Sequence, residues 1–124
     1  MSTFHAVVWM DHQEAHVVMF DRAHIQAQRI RSRSHHKHQG QANDTAAFFA
    51  DVATALNGTH EVLLTGSGGA RNEFRAWCIQ NRPTVAQVIV DNVPSDHPTD
   101  PQLVALAKQY FKAFDAMAAD PSRL

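Results

Sequence analysis

Cysteine is almost absent from this chain. Cys78 stands alone in 124 residues, so no disulfide can form within the chain, and a reducing compartment is the natural reading. No apolar run approaches the ~20 residues that cross a bilayer. The opening residues Met1-Ser2-Thr3-Phe4-His5 lack the basic and apolar regions of a secretory leader. A cytoplasmic protein with no membrane partner is therefore expected. Neither Gly-x-Gly-x-x-Gly nor Gly-Lys-Ser/Thr occurs, and no cofactor is expected. The most informative absence is that of acid: from Arg22 to His38 there is no Asp or Glu.

That acid-free segment holds Arg22, Arg29, Arg31, Arg33 and Lys37, together with His24, His35, His36 and His38. The whole chain carries 11 basic and 12 acidic groups, a net −1, so the remainder holds six basic and twelve acidic groups, a balance of −6. Such asymmetry marks an edge that faces a polyanion on an otherwise acidic-to-neutral body. With 44% hydrophobic and 19% charged residues the body is globular, and its length fits one domain spanning 1–124.

Hydrophobic patterning orders the chain. His5 to Met10 and His16 to Phe20 are strand-like and are joined by the polar turn Asp11-His12-Gln13-Glu14, and Ile25 to Ile30 continues as a partly exposed third strand. Asn43 or Asp44 can cap a helix reaching about Leu56, with Phe49, Val52, Ala53 and Leu56 on one face and Asn57-Gly58 as its C-cap. Glu61 to Thr65 reads as a short buried strand. The turn Gly66-Ser67-Gly68-Gly69 then leads into a helix with Phe74, Trp77 and Cys78 inward, closed by Pro83. Ala86 to Val90 reads as the last strand. A helix capped by Thr99 or Asp100 follows, striped with Leu103, Leu106, Ala107, Tyr110, Phe111 and Phe114, and residues 118–124 are expected to fray. The order βββ-α-β-α-β-α predicts an α/β domain: a five-stranded mixed sheet in order 3-2-1-4-5 with flanking helices, a ribonuclease H-like topology.

Four features then carry a family resemblance: the paired strands Ala6-Val7-Val8-Trp9-Met10-Asp11 and His16-Val17-Val18-Met19-Phe20; a basic loop (31–43) ending in Gly40-Gln41; Gly66-Ser67-Gly68-Gly69-Ala70-Arg71-Asn72-Glu73-Phe74; and Val88 to Val93 before a closing helix. From Phe4 to about Phe114 the chain resembles the middle domain of archaeal and eukaryotic class I peptide-release factors and of Pelota. It is closer still to bacterial stand-alone relatives described as translational machinery proteins. The resemblance implies a bacterial, ribosome- or tRNA-associated accessory protein acting in peptide release or ribosome rescue. The chain departs from that family in matching the middle domain alone, with no codon-reading domain expected before it and no partner-binding domain after it, so stop-codon decoding is not expected of it.

In release factors this loop carries Gly-Gly-Gln, and the resemblance makes Gly40 and Gln41 the candidate catalytic residues for peptidyl-tRNA ester hydrolysis. There the Gln backbone N–H donates to the developing oxyanion. Gln39 replaces the first glycine of that motif. Arg29, Arg31, Arg33, His35, His36, Lys37 and His38, with Arg71 and Arg75 one turn apart on an outer helix face, are the candidate contacts to RNA phosphates.

Blander or different readings stand beside these. The basic run can be a solvated loop. His35, His36 and His38 can hold a metal if a dimer brings two loops together, although one short loop lacks the separated ligand pairs of a structural zinc site, and no metal is assigned. The glycine turn can cradle a phosphate or simply let strand and helix pack closely. Asp11, Glu14 and Asp91 raise a magnesium-dependent nuclease on this fold, but Asp11 is equally a turn residue. Cys78 reads as core, and Asp96-His97 as a loop pair. A non-catalytic protein-interaction or dimerisation domain, such as a homodimer, is the alternative from another functional class.

Overall fold

The chain is built around β1 (Phe4–Met10), in which Ala6 to Met10 are all buried. Alternate side chains enter opposite cores: Ala6, Val8 and Met10 go to one side, Val7 and Trp9 to the other. A strand apolar on both faces must lie inside a sheet that helices cover on both sides. The computed structural model describes residues 4–21, 24–32 and 41–119, without the side chains of residues 4, 41–44 and 112–119. β2 (Glu14–Phe20) pairs antiparallel with β1, and β3 (Ile25–Arg31) antiparallel with β2. β4 (Thr59–Gly66) lies parallel to β1 on its other side, and β5 (Ile89–Pro94) parallel to β4. The order is β3-β2-β1-β4-β5, as the sequence predicts. β2 alone runs against the other strands, which is the ribonuclease H-like arrangement.

Helices α1 (Gln41–Ala55), α2 (Ala70–Asn81) and the short α3 (Pro83–Val88) cover one face. Phe48, Phe49, Val52, Ala53, Phe74, Cys78 and Val85 close that core over Val8, Met10, Val17 and Leu64. The other face belongs to α4 (Asp100–Ala119), which sets Leu103, Val104, Ala107 and Phe111 against Val7, Trp9, Val18, Phe20 and Leu63. Two independent cores on one sheet make every residue of β1 and β4 sensitive to register, since a one-residue slip exchanges the two sets.

Several boundaries differ from expectation, each for a local reason. α1 is already helical at Gln41, ahead of the caps expected at Asn43 or Asp44. Gly58, with φ +86°, reverses the chain after α1 as expected of a C-cap region. Pro83 closes α2 but also starts α3, where its fixed φ suits the first helical position. The apolar run Ala86 to Val90 is therefore divided: Val85 is buried from α3, and the strand starts only at Ile89. β3 is exposed at every position but Ile30. Trp77, expected inward, is half-buried, touching Phe49 at 6.0 Å and carrying the Arg82 guanidinium 5.6 Å from its ring. Leu106 and Tyr110 pack at the margin of the α4 core, and Phe114 lies outside the described side chains. α4 reaches Ala119, into the stretch expected to fray.

Gly66 is the tightest point of the fold. Its φ is +148°, and a Cβ there would lie 2.0 Å from the backbone oxygen of Met10. Both the torsion and the approach require glycine. Gly69, by contrast, has an ordinary negative φ and only the flexible end of Glu73 nearby, at 3.6 Å. In urea titrations, Gly66→Ala is expected to lose about 3 kcal/mol or more, or to fail to fold, while Gly69→Ala loses under about 1 kcal/mol. Equal losses would contradict this account of the turn.

Candidate nucleic-acid interface at the carboxyl edge of the sheet

β1, β4 and β5 are parallel, so Met10, Gly66 and Pro94 end at one edge of the sheet. Two antiparallel pairings bring the end of β3, Arg31, to that same edge opposite Glu14. The β1–β2 turn closes without glycine because the Asp11 carboxylate accepts from the backbone N–H of Gln13 (2.8 Å) and of Glu14 (2.9 Å). The Ser32 N–H then donates to the Gln13 carbonyl at 2.7 Å, tying the start of the acid-free segment's second half to this turn. At the other end of α1, the Thr59 N–H donates to the Leu56 carbonyl at 3.1 Å, beside the start of β4. The helix therefore starts from the carboxyl edge. The described chain stops at Ser32 on this edge and resumes at Gln41. Arg33, His35, His36, Lys37, His38, Gln39 and Gly40 lie outside the described residues, as does the side chain of Gln41.

Arg29 and Arg31 both lie exposed on β3, two residues apart and hence on one face of the sheet. The Arg29 guanidinium is 3.6 Å from Glu14, which lies 3.7 Å from His16, itself 3.3 Å from Asp100 at the start of α4. An ion pair that open to water holds its arginine weakly, so the guanidinium can turn to a phosphate.

The two arginines of α2 separate. Arg75 is exposed, as expected. Arg71 is not an outward cation: its Nε donates to the Gly66 carbonyl (3.2 Å) and its guanidinium to Asn92 Oδ1 (2.7 Å), with Asn92 donating on to Asn72 at 2.6 Å. The planar guanidinium thus clamps the glycine turn to β5, a task its i+5 spacing from Gly66 could have signalled. The glycine turn is built for close packing and is flanked by His12, 3.0 Å from Glu73.

Sequence reasoning missed Trp9 as an organiser of this edge. It is almost wholly buried, and its indole N–H donates to the Asp96 carbonyl. His97 lies over its ring at 4.1 Å between centroids. The segment before α4 is held further by Ser95, whose N–H donates to the Gly66 carbonyl (3.0 Å) and whose hydroxyl accepts from Thr65 (2.8 Å). Asp96-His97 is thus a packed cover on Trp9, more specific than a loop pair.

Other chemistries find little support here. Of the three carboxylates considered for a nuclease, Asp11 caps its turn, Glu14 faces Arg29, and Asp91 accepts from the Tyr110 hydroxyl (2.8 Å) and the Asn92 N–H (2.7 Å). Burial, the hydrogen bond to Asp91 and the charges of Asp91 and Glu61 push the Tyr110 hydroxyl up to about 12. Among the described residues no group of three or more His, Cys, Asp or Glu is arranged to hold a metal. Cys78 is buried, and burial pushes its thiol up to about 12 against the pull of Arg82, which suits a core residue and not a nucleophile. Among the described residues no helix is long and apolar enough to cross a membrane.

Neither the known family models nor the curated proteins contain a match to this sequence. Solved structures do match. The Pelota protein of Thermoplasma acidophilum superposes with a TM-score of 0.61 at 24% identity, over 98% of this chain and 34% of its own. Archaeoglobus fulgidus Pelota gives 0.59 at 16%, over 88% of this chain and 32% of its own. An archaeal translation termination factor, aRF1, gives 0.62 at 13%, over 94% of this chain and 42% of its own. The chain has the fold of one domain of these factors. It spans a third to two-fifths of their length.

The geometry distinguishes the two arginines of α2 experimentally. Arg71→Ala is expected to cost about 1–2 kcal/mol in denaturant titration through its lost hydrogen bonds, and Arg75→Ala less than about 0.5 kcal/mol. An Arg71→Ala protein as stable as its parent would contradict the clamp.

Proposed function

We propose that this domain acts in translation, at the ribosome, as a relative of termination and rescue factors, and that its carboxyl edge contacts RNA. The observation that carries the reading is the shared fold with Pelota and an archaeal termination factor across nearly the whole chain. The charge pattern supports it independently. Arg29 and Arg31 approach the same edge from which residues 33–40 depart, and those residues add Arg33 and Lys37 without one acid. His35, His36 and His38 stand in the same segment, where imidazoles can add hydrogen-bond donors and positive charge toward phosphates. Arg75 is an exposed cation of α2, on the sheet face opposite to Arg29 and Arg31, and is a separate candidate contact, whereas Arg71 is already engaged in the fold. Contacts of this kind read folded RNA by shape and backbone, not by sequence.

The sharper version assigns peptidyl-tRNA ester hydrolysis to Gly40 and Gln41. The described part of α1 starts at Gln41, and where a helix starts its first N–H groups have no acceptor within it. A donor of that kind, presented to an ester carbonyl, is what a tetrahedral oxyanion needs. Gln39 argues for the milder version, RNA binding without hydrolysis. Its Cβ costs on the order of 1–3 kcal/mol wherever a glycine-only conformation is required.

Co-sedimentation with purified ribosomes tests the reading. Binding is expected to fall about tenfold or more between 50 and 200 mM salt, as when several phosphates are neutralised. It should be lost when Arg29, Arg31, Arg33 and Lys37 are all replaced by Ala. Binding indifferent to both changes contradicts the proposal. Gln41→Ala should retain binding and, if the loop hydrolyses, abolish peptide release; unchanged release assigns the domain to binding alone.

A further inference from the structure

Among the described residues nothing pairs with β3 on its outer side, and its hydrogen-bond parity shows which groups it offers there. The Ser32 N–H donates to the Gln13 carbonyl and the Asp21 N–H to the His24 carbonyl, so the pairs 13/32 and 21/24 are hydrogen-bonded ones. Parity along the ladder then makes Ala15/Ile30, Val17/Gln28 and Met19/Gln26 hydrogen-bonded as well. Gln26, Gln28 and Ile30 accordingly spend their backbone groups on β2. Ile25, Ala27, Arg29 and Arg31 direct theirs outward, where none of the described residues pairs with them.

Natural edges are usually blunted by proline, a bulge, brevity or charge. β3 is seven residues long, contains no proline and keeps an unbroken register with β2. Its charges are confined to Arg29 and Arg31, while Ile25 at the other end is 58% exposed.

We propose that β3 pairs antiparallel with β3 of a second copy of this chain, about a two-fold axis at Gln28, joining two sheets into one. With the axis there, Ile25 faces the partner's Arg31 and Ala27 faces the partner's Arg29, so all four outward residues of each strand form hydrogen-bonded pairs. No arginine stands directly opposite an arginine. Each arginine stem instead covers an apolar side chain of the other copy, and Glu14, 3.6 Å from Arg29, offsets the charge brought to the joint. Shifting the axis by one residue along the strand sets Arg29 against the partner's Arg29, or leaves an outward residue of each strand unpaired. The strand is thus complementary to itself in one register. An open groove of about 400 Å³ lined by Val17, Met19, Gln26, Ala27 and Gln28 lies along this strand, where the second copy's Gln28 would enter. Arg29 and Arg31 of both copies would share one face of the joined sheet, doubling the basic surface without using the groups that bind it.

Sedimentation equilibrium of the full chain tests this. The expected result is a species of twice 13.8 kDa that dissociates on dilution. Ala27→Pro and Arg29→Pro each remove an outward donor while leaving the β2 ladder intact, and each is expected to weaken the dimer about tenfold or more. Far-UV circular dichroism reports whether each variant is folded. Independently, Gln28→Cys should form an intermolecular disulfide under mild oxidation, because residues on the axis form a non-hydrogen-bonded pair with Cα atoms about 4.5 Å apart. Gln26→Cys should not, being about 14 Å from its symmetry mate. The buried Cys78 does not compete. A chain that stays monomeric up to about 1 mM, well above the concentrations at which a useful interface forms, overturns the proposal. So does a dimer indifferent to folded proline variants, or one that crosslinks through position 26 and not 28.

Discussion

The approach of Gly66 to the carbonyl of Met10 is the constraint on which the working edge of this domain depends. Two parallel strands end side by side there, and the glycine lets the chain turn into α2 without a side chain between them. The Gly66 carbonyl then accepts from both Arg71 and Ser95, which fixes α2 and the cover over Trp9 to the same point. The β1–β2 turn, the start of α2 and the segment before α4 meet at the edge where Met10 and Gly66 lie side by side. This buried carbonyl, accepting two donors, ties the start of α2 and the segment before α4 to one point.

Much of this was legible in the sequence. The element order βββ-α-β-α-β-α with right-handed crossovers led to the strand order, and the unalternating apolar run Ala6 to Met10 fits the internal strand that this order makes of β1. Phe49, Val52, Ala53 and Leu56 likewise declared the inner face of α1, and Phe74 with Cys78 that of α2. The stretch from Pro83 to Val90 was not legible. A short apolar run satisfies helix and strand patterns alike, and the decision fell to Pro83, which both ends one helix and suits the first position of the next. The start of α1 was missed for a different reason. Good capping residues at Asn43 and Asp44 drew the boundary inward, whereas both lie inside a helix that already includes Gln41.

At the site the divide is between charge and contact. That the basic residues cluster could be counted; what each one touches could not. Arg71 and Arg75 look equivalent at i and i+4, yet one is bound to Gly66 and Asn92 and the other is exposed. Asp11 and Asp91 look like metal ligands on a fold that can host them, but local turn and tyrosine hydrogen bonds consume them. Long-range partners such as Asp96 on Trp9, 87 residues apart, have no signature in spacing at all. The open edge of β3 lies between these cases. Its exposure follows from the strand order, and its self-complementary register follows from the hydrogen-bond parity set by residues 13/32 and 21/24.

The central functional claim is that the chain leaving this edge between Ser32 and Gln41 reaches ribosomal RNA. Site-directed crosslinking from position 41 to purified ribosomes, followed by mapping of the attached nucleotides, tests it most directly. The account predicts crosslinks concentrated in the RNA of the large-subunit catalytic centre and lost when the arginines and the lysine of the segment are neutralised. Crosslinks confined to ribosomal proteins, or scattered over RNA without dependence on those charges, would contradict it.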